Sequence, residues 1–330
     1  MRALVTGASG FIGGAVAQAL LRRGDHVRVL LRPGSVANVP DGRDLEVARG
    51  DLRDAQAVRA AAEGCAAIYH AGAVYSFARP PSEVLAVNVG GTRNVLEAAR
   101  ATGARLVYTS SIATVGGMRD GQIPDESCMP HGAPPGPYKR SKREAEALVR
   151  EAARDGVDAV IVNPTFPVGA RDVKPTPTGA VIRDFLEGRM PAYVDTGMNI
   201  IDVEDVAEGH LLAFDRGARG ERYILGHANV TMRELLAELS ALSGRPAPRL
   251  RLPHGLVLAL AHADAFVSGC LLGRAPRVPL EGVRTAREIM FANCRRAVRE
   301  LGLRQTPVRE SLEKAVRWFQ DGAGRKRSTP

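Results

Sequence analysis

The chain has 330 residues, 45% apolar and 25% charged, enough to bury a sizeable core and too apolar for a wholly disordered protein. At roughly 100–200 residues per domain it holds one large domain or two that share a core. Its net charge of +9 comes from basic residues scattered among acidic ones, so nucleic acid is not an expected partner.

Met1 to Thr6 reads as a short buried strand, because Ala3-Leu4-Val5 is continuously apolar and glycine follows at once. Phe11, Ile12, Ala15, Val16, Ala19 and Leu20 then recur at helical spacing, with Gly24 as the stop. Further strands are expected at Val27 to Leu31, Leu45 to Val47, Ala67 to Tyr69, Arg105 to Tyr108 and Asp158 to Val162. Helical patterns lie between them at about 54–63, 84–102 and 139–155. Strands alternating with helices predict an α/β fold, a Rossmann-like doubly wound parallel sheet, over residues 1–165. Residues 166–330 are expected to extend the sheet and build a smaller substrate-binding lobe, ending in a frayed basic tail over 322–330.

Cys65, Cys128, Cys270 and Cys294 lie far apart and form no metal-like cluster with His, so a reducing compartment and no metal are expected. The apolar start is broken at Thr6-Gly7-Ala8-Ser9-Gly10 and does not read as a signal peptide, which points to the cytoplasm. The longest apolar run, Leu256 to Leu272, carries His262, Asp264 and Ser268 and is too short and too polar to span a membrane. It reads as a packed helix, with a substrate wall or a membrane-resting face as alternatives.

Gly7, Gly10 and Gly13 stand between the first strand and the first helix. That placement suits a dinucleotide: Gly7 for a tight turn, Gly10 for approach of a pyrophosphate to the helix N-terminus, Gly13 for helix–strand packing. Ser9, Phe11 and Ile12 belong to the same loop. The second strand ends in Arg32 with no carboxylate nearby, and a guanidinium grips a 2′-phosphate better than a bare ribose, so NADP(H) is preferred over NAD(H). Asp51 and Leu52 follow the third strand near the expected adenine edge, Asp51 being equally readable as a helix N-cap.

Tyr138 and Lys142 lie four residues apart and share one helix face. A phenol is a poor proton shuttle at neutral pH, but a nearby ammonium and a cationic nicotinamide both favour phenolate, so Lys142 is expected to lower the Tyr138 pKa and to bind the nicotinamide ribose. Ser111, at the end of a strand, offers the hydroxyl that polarises the reacting oxygen.

With these motifs in place, the sequence resembles an extended short-chain dehydrogenase/reductase of the NAD-dependent epimerase/dehydratase family over nearly its whole length. Asn88-Val89-Gly90-Gly91-Thr92, Asn163-Pro164 and Asp202-Val203-Glu204-Asp205-Val206-Ala207 match further motifs, and within the family the likeness is to hopanoid-associated sugar epimerases and, more distantly, dihydroflavonol 4-reductases. The resemblance implies that Ala71 and Pro164 border the cofactor, that the 202–207 motif holds the substrate lobe, and that the 88–102 and 139–155 helices form a homodimer. Gly72 departs from the usual alanine of its motif, either at a changed substrate border or simply to relieve packing. Ile112-Ala113 stands where dehydratases carry an acid/base pair, which disfavours dehydration. The expected activity is NADP(H)-dependent hydride transfer between nicotinamide and a secondary alcohol or ketone. Sugar epimerisation is the alternative, and a non-catalytic cofactor sensor is the alternative from another class. The small-molecule pocket is expected to include Tyr75, Phe77, Phe166, Lys174, Met198 and the 256–272 segment.

Overall fold

Strands buried on both faces and helices buried on one fix the architecture of this computed structural model, which describes residues 1–35, 38–75, 79–132, 134, 136–266 and 287–322. Seven parallel strands form the central sheet. In chain order they are β1 (Arg2–Thr6), β2 (His26–Leu31), β3 (Leu45–Arg49), β4 (Ala67–His70), β5 (Arg105–Thr109), β6 (Ala159–Pro164) and an edge strand Arg222–Leu225. Their spatial order is edge strand, β6, β5, β4, β1, β2, β3. The order reverses between β1 and β4, the point where such sheets open a crevice for ligands.

Alternate side chains go to opposite faces. Ala3, Val5, Tyr69 and Val107 pack on one face with Val16 and Leu20 of α1 (Phe11–Arg22). Leu4, Ile68 and Leu106 pack on the other, against α2 (Ala55–Ala62) and the helices of the 81–102 and 137–154 segments. The helix expected at 84–102 begins earlier, as α3 (Pro81–Leu85), and widens into a π-helical turn at Ala86–Gly90 before α4 (Gly91–Thr102). The buried Asn88 of that turn donates to the Val74 carbonyl and to Ser141 Oγ, contacts that hold it inside. Pro137 opens α5 (Pro137–Arg154) in the first turn, where its missing N–H costs nothing.

Beyond residue 165 the chain both completes the sheet and builds a lobe. The lobe contains β7 (Phe166–Val168), α6 (Pro177–Leu186), β8 (Ala192–Val194) and β9 (Gly197–Asp202). Helix α7 (Val203–Arg216) returns to the α1 face of the sheet and leads into the edge strand, β10. After it come β11 (Ala228–Thr231), α8 (Met232–Ser243), β12 (Leu250–Leu252), α9 (His254–Phe266) and α10 (Val308–Gln320). Ile182, Phe185, Leu235, Leu239, Leu312 and Val316 share the lobe's own core. The lobe is tied to α7: Asp202 caps it and accepts from Lys314 Nζ at 2.9 Å, and Asp205 accepts from the backbone and hydroxyl of Thr306.

Among the described residues no helix is long and apolar enough to cross a membrane. Phe77, Cys270, residues 267–272 of the apolar run and the tail from 323 lie outside the described residues.

Candidate active site

The glycine loop closes on the switch point. Gly7 has φ +76°, and a Cβ there would stand 2.6 Å from the Gly72 nitrogen and 2.7 Å from the Ala71 carbonyl carbon. A Cβ on Gly13 would lie 2.2 Å from the Gly7 oxygen. Helix α1 starts at Gly10 without any side-chain cap, so the N–H groups of its first turn are left for something else. A cradle that any side chain would fill, at an uncapped helix N-terminus, fits a dinucleotide pyrophosphate. Gly72 has a packing reason: a Cβ would come within 2.7 Å of Leu52 Cδ1 and 3.1 Å of Thr6 Oγ1.

Arg32 is exposed at the end of β2 and begins a turn in which Ser35 N donates to the Arg32 carbonyl, with Pro33 second and Gly34 at φ +74° third. The turn returns Ser35 to the glycine loop, where its hydroxyl donates to Ser9 Oγ at 3.0 Å. Asp51 does not cap a helix. Asp54 caps α2, while Asp51 takes a two-pronged contact from Arg53 at 2.9 Å. That contact, helped by the charge of Arg32, holds the Asp51 carboxyl down at about 2.

Tyr138, Lys142 and Glu146 stand one turn apart on the inward face of α5. The Tyr138 ring borders a cavity, and Tyr75 meets it edge-on with ring centroids 4.2 Å apart. Burial of the Tyr138 hydroxyl pushes its pKa up to about 12; the hydrogen bond with Ser111 pulls the other way. The expected lowering by Lys142 is absent from the free chain, in which the ammonium donates to the Thr109 carbonyl at 2.8 Å. Burial brings the Lys142 pKa down to about 8, against the opposing charge of Glu146.

Glu146 was not singled out in the sequence, yet it joins four elements. Its Oε2 accepts from Ser110 Oγ, Thr114 Oγ1 at 2.6 Å and Asn163 Nδ2 at 2.9 Å, and its Oε1 from Arg222 Nη1 at 3.0 Å. Asn163 also donates to the Ser111 carbonyl, so the segment carrying Ser111 is fixed from two sides. The 138, 142, 146 spacing was a usable signal for Glu146. Nothing local pointed to Arg222, which arrives from β10.

One cavity of about 280 Å³ joins Gly7, Gly10, Phe11, Ile12, Gly13 and Ala71 to Ser111, Tyr138, Lys142 and Pro164. Tyr75 and Phe166 line it as expected. Lys174 is exposed outside its lining, and Met198 is buried in the lobe core because β9 turns it towards α8 and α10. Arg32, Asp51 and Leu52 stand outside this cavity's lining, at the β2–β3 side of the glycine loop. Among the described residues no group of His, Cys, Asp and Glu could hold a metal ion.

Residues 3–226 match the NAD dependent epimerase/dehydratase family. The chain is 44% identical to a putative dihydroflavonol 4-reductase of Synechocystis sp., over 96% of this chain and 94% of that protein. It is 37% identical to the sterol demethylase protein B of Methylococcus capsulatus, over 97% and 99% of the two chains. Among solved structures, gox2253 superposes with a TM-score of 0.86 at 39% identity, covering 98% of this chain and 99% of that one.

The Glu146 network generates a direct expectation. Glu146→Gln leaves the Arg222 guanidinium buried without a counter-charge, so stability should fall by about 3–5 kcal/mol, read from the denaturant midpoint at constant slope. An unchanged midpoint would show that Arg222 is not held by this carboxylate.

Proposed function

The chain belongs to the NAD-dependent epimerase/dehydratase family and is an NAD(P)-dependent oxidoreductase, and from that premise we propose that it uses NADPH to reduce a ketone to a secondary alcohol. The observation that carries this reading is that Ser111 and Tyr138 border one cavity with the glycine loop, since reduction of a carbonyl needs a proton donor at its oxygen. The relative called a putative dihydroflavonol 4-reductase supports the same direction.

When bound, the cofactor supplies hydride to the carbonyl carbon. Ser111 and Tyr138 hold the carbonyl oxygen by hydrogen bonds, and Tyr138 gives it the phenolic proton as negative charge develops there. Lys142, anchored on the Thr109 carbonyl, keeps further N–H groups for the ribose. Gly7, Ser9, Gly10, Phe11, Ile12 and Gly13 take the pyrophosphate, Asp51 and Leu52 the adenine side, and Ala71 and Pro164 the nicotinamide side. Arg32, with the Ser9 and Ser35 hydroxyls beside it, takes the 2′-phosphate of NADP(H). Ile112 and Ala113 are apolar and provide no second acid/base pair next to Ser111. Self-association through the outer faces of α4 and α5 belongs to the same proposal.

Net reduction consumes one external NADPH for each alcohol formed, whereas sugar epimerisation returns the hydride and leaves external NADPH undepleted. Stoichiometric loss of NADPH absorbance with product is therefore expected, and inversion of a sugar without it would overturn the reductase reading. Tyr138→Phe should lower turnover roughly 10²–10⁴-fold while NADPH binding, followed by fluorescence, stays nearly unchanged. Near wild-type turnover would remove Tyr138 from the chemistry.

Arg32→Asp should shift preference from NADP(H) towards NAD(H), because it replaces a phosphate fork by a carboxylate suited to a ribose diol. The ratio of the two dissociation constants decides it, and an unchanged ratio would reduce Arg32 to a solvated surface residue.

A further inference from the structure

We infer that the outer face of α9 rests on an anionic lipid membrane, an interaction that does not depend on the reaction read from the pocket. A helix at the surface of a lobe ordinarily turns charged side chains to the solvent. Helices α8 and α10 of the same lobe do so, α8 exposing Arg233 and Glu234, and α10 exposing Arg309 and Glu310. Over residues 256–261, α9 is apolar on both sides. Val257, Leu258 and Ala261 share one face at spacings of three and four, with Ala261 wholly buried; Leu256, Ala259 and Leu260 share the other at the same spacings. That second face is open, with Leu256 49% and Leu260 54% exposed.

The chain leading into this helix carries charge of one sign. In a sequence with 36 acidic residues, none falls between Glu238 and Asp264, whereas Arg245, Arg249 and Arg251 do, and all three are exposed. Only Pro253 separates β12 from α9, so Arg249 and Arg251 stand near the start of the helix, together with Leu250, itself 58% exposed. Arg251 shares a surface pair with Asp195 at 3.0 Å, and both partners remain largely in water. Leucines for the acyl boundary beside guanidinium groups for lipid phosphates are what an interfacial helix needs. With 13 residues α9 is too short to cross a bilayer, so it lies in the plane of the interface.

The test mixes the full chain with sedimenting vesicles of phosphatidylcholine alone, or of phosphatidylcholine and phosphatidylglycerol in equal parts. The chain should sediment with the mixed vesicles, and several-fold less with phosphatidylcholine alone or at high salt, because part of the attraction is between exposed charges. Leu256→Ser combined with Leu260→Ser should weaken binding about tenfold or more, since two leucines no longer leave water. Arg245→Glu combined with Arg249→Glu should weaken binding to the mixed vesicles by about tenfold or more, with NADPH binding and the thermal midpoint unchanged. Leu260→Trp sets a reporter in the face, and its emission should shift to the blue when mixed vesicles are added. No sedimentation with the mixed vesicles, sedimentation that neither pair of substitutions reduces, or an unshifted emission would overturn the inference. So would a dimer in buffer that the two serine substitutions split, because a second copy of the chain would then hold the face.

Discussion

The reactive edge of the sheet depends on one buried ion pair, Glu146 with Arg222. Both side chains are almost wholly enclosed, at 3% and 5% exposure, so neither charge could stay there without the other. A hydrophobic pair of the same volume would often serve stability as well. It could not replace the geometry, because the two carboxylate oxygens collect donors from the end of β5, the Ser111 segment, the end of β6 and β10. Since Tyr138 and Lys142 stand on the same face of α5, fixing Glu146 fixes their distance from Ser111.

Two buried histidines brace the same sheet as uncharged rings. His70 Nδ1 accepts from the Thr6 hydroxyl at 2.6 Å, and its Nε2 faces Thr92 Oγ1, whose own proton goes to the Asn88 carbonyl. Burial, with the charge of Lys142 adding to it, brings its pKa down to about 3, so it braces β1, β4 and α4 as an uncharged ring. His210 does the same for β5, receiving the Thr109 hydroxyl and facing the Val206 carbonyl. The same dryness acts on Tyr138 and Lys142 in opposite directions, keeping the phenol protonated and making the ammonium easier to discharge. A protonated phenol held against a hydroxyl is the arrangement a carbonyl reduction needs.

Much of this was legible in the sequence because it is local. The Gly7, Gly10 and Gly13 spacing follows from one tight turn, and the Tyr138–Lys142 spacing from one helical turn. The doubly wound sheet follows from strand–helix alternation, and its seven parallel strands and the extra strand after residue 165 agree with that reading. What escaped was set by contacts distant in the chain. The pairing of Arg222 with Glu146 spans 76 positions, and the contact of Lys142 with the Thr109 carbonyl depends on where β5 ends. Asp51 reads as a cap in sequence, but Asp54 is the residue whose carboxylate accepts from the first-turn N–H groups of α2. The reason for Gly72 lies in Leu52, twenty residues earlier and on a different loop.

Burial on the α5 face, and not a neighbouring ammonium, sets the protonation of Tyr138 in the free chain. Labelling the six tyrosines with ¹³C at Cζ and following their resonances with pH, with Tyr138→Phe to assign the signal, measures this directly. The Tyr138 resonance should stay in its phenol position through pH 10 and move only towards about 12. A midpoint at or below about 8 would mean that Lys142, and not burial, governs the phenol.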